Sequence, residues 1–181
     1  MESLTRTINP DVIRWLKILQ WCIVSIQRYY SKNKGVILTE GDLECLLYSC
    51  LVCQTEFHQP LETKTEGWAT GFIHSQTTWF KKEKESGFEV DLCISDPKNF
   101  MIYDLLVLDE YPNKGYFHDG MSVAIELKFI RNSNAIKKES TEDYIHIVNE
   151  LRPAKNERIE SEYYSNITMD DIAFVSIVGC K

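Results

Sequence analysis

Apolar residues recur three and four positions apart from Val12 through Ile13, Leu16, Leu19 and Ile23 to Ile26. That spacing predicts an amphipathic helix running to about Tyr30. Asn9 followed by Pro10 marks its start: an asparagine side chain accepts an orphan N–H, and proline presets the first helical dihedral. "SKNKG" (31–35) ends it. A second helix is expected in "LTEGDLECLLYSCLVCQ" (38–54), with Thr39 as cap, Asp42 three residues on, and Leu43, Leu46, Leu47, Cys50 and Leu51 as the buried stripe. Residues 54–69 keep neither period and read as irregular.

After residue 70 the period falls to two. "GFIHSQTTWF" (71–80) has strand composition and "KKEKES" (81–86) reads as an exposed turn. In "GFEVDLCIS" (87–95), Phe88, Val90, Leu92 and Ile94 share one face, and Glu89, Asp91 and Cys93 share the other. The stretch 96–120 is ambiguous: Asp96-Pro97 suits a helix start, whereas "MIYDLLVL" (101–108) suits a strand. "SVAIELKFI" (122–130) is a clear strand, with Val123, Ile125, Leu127 and Phe129 opposite Ala124, Glu126 and Lys128. "STEDYIHIVNELRPAKNERIESEYY" (140–164) reads as a helix interrupted near Pro153, and "DIAFVSIVG" (171–179) as a last buried strand. This order predicts an α/β sandwich with a mixed sheet. A single domain is expected, with residues 1–36 a helical extension and 39–179 the core.

A chain of 181 residues is long enough to bury a substantial core. The net charge of −7 disfavours a generic polybasic binder but leaves room for local basic patches. Of six cysteines, Cys50 and Cys53 form a CxxC, yet no second CxxC or histidine pair completes a zinc set. Most are expected to be reduced core thiols, which fits a cytoplasmic protein. No leader is evident, and "ILQWCIVSIQ" (18–27) is too short to span a bilayer. The sequon at Asn166 reads as chance.

The charges inside the strands change the picture. Glu126 and Lys128 leave the same face one pleat apart, and Asp91 also lies opposite an apolar set. If the two strands pair antiparallel, Asp91 sits beside Glu126. Adjacent carboxylates repel unless a cation or a proton separates them, and carboxylates with water or phosphate oxygens are the usual magnesium shell. A lysine beside that shell orients a water and offsets developing negative charge. The bland alternative is an exposed same-face ion pair, stabilising by about 0–1 kcal/mol.

"VDLCISDP" (90–97) followed by "GYFHDGMSVAIELKFIR" (115–131) resembles the PD-(D/E)XK nuclease superfamily. The resemblance implies a restriction-endonuclease-like αβββαβ core, with Glu126-Leu127-Lys128 as the ExK element and Asp91 as its aspartate. Val90 stands where the family name has proline. It further implies a glutamate near the start of the first core helix, for which Glu40 fits best and Glu44 second. Asp104 in "YDLLVLD" is the competing aspartate. On this reading Asp91, Glu126 and the Leu127 carbonyl bind Mg2+, with Mn2+ able to substitute. Lys128 positions the attacking water, and Glu40 completes the site directly or through a water. The expected partner is DNA, without a membrane, and a homodimer is compatible with it. Two alternatives stand beside this: an inactive nuclease-like subunit, and an acidic interaction module. Lys81, Lys82, Lys84, Arg131, Lys137 and Lys138 fall near the expected mouth, and His74 and Gln76 could face it. His74, His118 and His146 are otherwise expected as surface or hydrogen-bonded histidines, and Trp68 and Trp79 as packing anchors.

Overall fold

The computed structural model describes residues 9–79, 88–102, 116–118, 120–130 and 172–180. Helix α1 spans Pro10–Lys32, and the Asn9 side chain accepts the Asp11 N–H at 2.9 Å. Helix α2 spans Glu40–Val52. Its capping box is complete: the Thr39 hydroxyl accepts the Asp42 N–H at 3.1 Å, and the Asp42 carboxylate accepts the Thr39 N–H at 2.9 Å.

Among the described residues eight strands follow: β1 (Leu61–Glu62), β2 (Ala69–Thr70), β3 (Ile73–Trp79), β4 (Phe88–Ser95), β5 (Phe100–Ile102), β6 (Tyr116–His118), β7 (Ser122–Ile130) and β8 (Ile172–Cys180). β3, β4, β7 and β8 form a four-stranded sheet in that order, and β1–β2 and β5–β6 are separate antiparallel pairs. Within the sheet β3, β4 and β7 are antiparallel neighbours, while β7 and β8 run parallel. The fold is therefore mixed α/β, as the change of period predicts. The ambiguous stretch resolves in part: Asp96 caps a short 3₁₀ helix at Pro97–Asn99, and β5 and β6 follow. The small β1–β2 pair lies in a segment expected to be irregular. The expected helix at 140–164, Asp104, His146 and the six basic loop residues lie outside the described residues.

One face of the sheet meets both helices. Val12, Trp15, Leu19 and Cys22 of α1 and Leu43, Leu47 and Leu51 of α2 form one core with Leu92, Ile94, Val123, Ile125 and Leu127. Each full burial of such a side chain contributes about 1.5–3 kcal/mol. Trp15, Phe57 and Phe72 meet edge-on or tilted at 5.6–6.3 Å between ring centres. The buried stripe of α1 corrects the expected one: the helix turns Trp15 and Cys22 inward and leaves Ile13 exposed. Cys22, Cys45, Cys50, Cys53 and Cys93 are free thiols, but Cys45 and Cys53 are exposed rather than in the core. Trp68, expected as an anchor, is also exposed. No described helix is long and apolar enough to cross a membrane.

Candidate functional site

Strands β4 and β7 pair at Leu92–Ile125, Cys93–Ala124, Ile94–Val123 and Ser95–Ser122. Continuing this register sets Asp91 opposite Glu126, but the ladder stops one pair short. Past that point carboxylates take the place of the strand. Leu127 donates its N–H to Asp91 Oδ2 at 2.6 Å, and Phe129 donates its N–H to Glu40 Oε2 at 3.2 Å. Alternate residues of a strand present their N–H groups on the same edge, so the two carboxylates close one continuous edge. These charge-assisted bonds are stronger than neutral ones. The other edge of β7 stays paired with β8 out to Ile130–Cys180, which keeps the strand in the sheet through the split.

Glu40 occupies the first turn of α2, where the helix dipole favours a carboxylate. The Lys128 ammonium lies 3.8 Å from the same Glu40 oxygen, with both side chains partly exposed. A pair so open to water stabilises by about 0–1 kcal/mol, so its geometry matters more than its energy.

The neighbouring strands extend the polar row. In the β3–β4 ladder Ser75 pairs with Leu92 and Thr77 with Val90, while Gln76, at the level of Asp91, is skipped. Its φ is +49°, a left-handed conformation that costs a non-glycine residue about 1–3 kcal/mol. On the far side Ser176 of β8 pairs with Glu126. Its hydroxyl is buried and has no hydrogen-bond partner among the described residues. Gln76, Asp91, Glu126 and Ser176 thus form one transverse row, a residue from each strand, between rows that are largely apolar.

Negative charge accumulates here. The Glu44 carboxyl is pushed above its ordinary range by burial first, then by the charges of Asp91 and Glu40. Among the described residues no group of three or more His, Cys, Asp or Glu side chains is gathered to hold a metal ion. The available donors are hard oxygens: Asp91, Glu126 and the Leu127 carbonyl, which leaves the strand on the same edge as its N–H. One or two carboxylates with water and substrate phosphate is the usual magnesium arrangement, so this donor chemistry fits that ion.

Of the residues singled out from the sequence, Asp91, Glu40 and Lys128 meet along β7 at Leu127–Phe129, and Glu126 stands opposite Asp91 by register. Glu44, the second choice for the helix glutamate, lies within electrostatic reach of Glu40 and Asp91. Gln76 stands in the row, but His74 does not. The His74 Nε2 meets the Gly71 carbonyl at 2.9 Å, its ring lies 4.7 Å from that of Phe100, and burial lowers its pKa. His118 is buried, with Nδ1 3.3 Å from the Ser122 hydroxyl. Ser176 was not anticipated, although a lone hydroxyl interrupting "DIAFVSIVG" is the signal that could have found it. Comparison with known proteins returns no match: no family model, no curated protein and no solved structure matches this chain.

Proposed function

We propose that the protein is a magnesium-dependent nuclease of the PD-(D/E)XK type acting on DNA. The observation that supports it most is the split beyond Leu92–Ile125, where Asp91 and Glu40 meet the backbone on either side of Lys128. On this reading Asp91, Glu126 and the Leu127 carbonyl hold the cation. When bound, magnesium offsets charge on the attacked phosphate and makes its water more acidic. Lys128 donates hydrogen bonds to the attacking water and to a non-bridging phosphate oxygen, where negative charge grows in the transition state. Glu40 orients the Lys128 ammonium. The water oxygen bonds to phosphorus and gives up a proton to solvent, while the P–O ester bond breaks and the leaving oxygen takes a proton from solvent to become a hydroxyl. The choice of DNA comes from the resemblance of "VDLCISDP" and "AIELKF" to that family.

The test is incubation of single- and double-stranded DNA with the protein in Mg2+ and in EDTA. Cation-dependent cleavage is expected. An intact panel in both Mg2+ and Mn2+ would sink the nuclease reading. A second reading draws on the same contacts: Asp91 and Glu40 act only as caps on the β7 edge, in an inactive nuclease-like subunit. A Mn2+ titration that stays flat in calorimetry would favour this second reading.

A further inference from the structure

Helix α1 carries the start of a long stretch with basic but no acidic residues. From Val12 to Thr39 there are five basic residues (Arg14, Lys17, Arg28, Lys32 and Lys34) and no acidic residue, in a protein of net charge −7. At 3.6 residues per turn, Arg14, Lys17, Trp21, Arg28 and Lys32 fall within about 60° of arc over about 27 Å. That stripe lies opposite the buried face formed by Val12, Trp15, Leu19 and Cys22. Lys17, Arg28 and Lys32 are exposed, and Trp21 between them is 57% exposed. Arg14, at one end, is already engaged by Asp11 at 3.0 Å and Glu56 at 2.6 Å.

We infer that the outer face of α1 is a docking surface for an unpaired stretch of nucleic acid. Lys17, Arg28 and Lys32 meet successive phosphates, and Trp21 stacks on a base. Charge complementarity carries the argument: a basic stripe on an acidic protein is the electrostatic footprint of a polyanion. An exposed indole set among cations is the other half of a single-strand platform, because every base has a face to stack. A membrane surface fits less well. The apolar side of α1 is spent on the core, so a bilayer would meet lysines, arginines and single aromatic rings rather than an apolar face. Preferring nucleic acid to other polyanions rests on the nuclease reading, whereas the surface itself lies on a helix face remote in sequence from Asp91 and Glu126.

The test is fluorescence anisotropy with labelled oligothymidylate in EDTA across a salt series, so that no cleavage intervenes. Replacing Lys17, Arg28 and Lys32 together by alanine should weaken binding at least about tenfold and lower the salt slope by about 2, since each single-strand phosphate contact contributes about 0.7. Trp21→Ala should weaken it about tenfold without changing the slope. Lys98→Ala, removing a cation elsewhere, should bind as wild type. Circular dichroism melts check that these exposed substitutions leave the fold intact. Asp91→Asn separates the two proposals. If that variant and the wild type bind equally and neither cleaves, while the triple variant loses binding, the docking surface stands and the nuclease reading falls. If the wild type cleaves but the triple variant binds unchanged, the docking surface is overturned. Duplex DNA bound as tightly as oligothymidylate would remove the stacking role of Trp21. Loss of binding by the triple variant only to phosphatidylglycerol vesicles would overturn nucleic acid as the occupant.

Discussion

Strands β4 and β7 carry two polar groupings on the same sheet face, and the two handle burial differently. At one end Cys93 Sγ lies 3.0 Å from the Ser95 hydroxyl, which is 3.3 Å from that of Ser122, which in turn is 3.3 Å from His118 Nδ1. All four residues are buried and the backbone ladder there is intact. At the other end the groups are carboxylates, Asp91 and Glu126 are only half-buried, and the ladder is split. Neutral thiols, hydroxyls and imidazoles can satisfy one another inside a closed sheet. A carboxylate in the same position would cost several kcal/mol unless paired. Charge is tolerated on this face only where the strands part and backbone N–H groups turn towards it.

The contrast can be broken most sharply at Lys128. Lys128→Ala should lower single-turnover cleavage about 10²–10³-fold, the loss typical of removing one donor to a developing oxyanion. Its side chain is 40% exposed, so the thermal melt and Mn2+ affinity should stay near wild type. Glu126→Ala should lose cleavage and Mn2+ affinity together. A Lys128→Ala protein that cleaves at the wild-type rate would reduce Lys128 to a surface charge.

Asp91 separates structure from chemistry. Asp91→Ala strips the Leu127 N–H of its acceptor and should destabilise by about 1.5–3 kcal/mol in urea unfolding. Asp91→Asn keeps an oxygen there and should cost less than about 1 kcal/mol, yet still weaken Mn2+ binding. Equal losses would mean that charge, not the hydrogen bond, holds the edge. At the neutral end Ser122→Ala should destabilise by about 1 kcal/mol and leave Mn2+ affinity untouched.

The smallest effects are slopes against pH, and they have opposite signs. The Glu44 carboxyl is raised from 4.5, so the folded state holds a proton that the unfolded chain has released. Stability should therefore fall as pH rises from 4.5 through the raised value, and Glu44→Gln should remove that slope. The His74 imidazole is lowered from 6.5 by burial, partly opposed by the Gly71 carbonyl, so the folded state resists protonation. Stability should fall as pH drops below 6.5, and His74→Gln should flatten that limb. Melting temperatures across this range, measured on both variants, check the two signs.

The residues of the charged end were largely legible in the sequence. Strict alternation in "FEVDLCIS" and "SVAIELKFI" puts Asp91, Glu126 and Lys128 opposite apolar sets, and antiparallel pairing does the rest. Thr39 and Asp42 likewise declare the start of α2, which places Glu40 beside them. The split itself was not legible, because side-chain alternation carries no record of where a backbone N–H finds its acceptor. Nor was the left-handed Gln76, since nothing in its side chain requires that conformation. The stripe of α1 was misjudged because Val12, Ile13, Leu16 and Ile23 suit several rotations of the helix. Burying the large Trp15 ring selects one of them. The neutral chain needed β6, whose three residues sit in the stretch where helix and strand signals overlap.

The acceptors of Leu127 and Phe129 also change what their amide protons report. In an ordinary ladder, hydrogen exchange reports how often two strands separate. At these two positions it reports the state of two side chains. A cation that draws Asp91 away should speed exchange at Leu127, and a substrate that draws Glu40 away should speed it at Phe129. Ile125, which still pairs with Leu92, should stay protected. An amide spectrum would then read the occupancy of the site one carboxylate contact at a time.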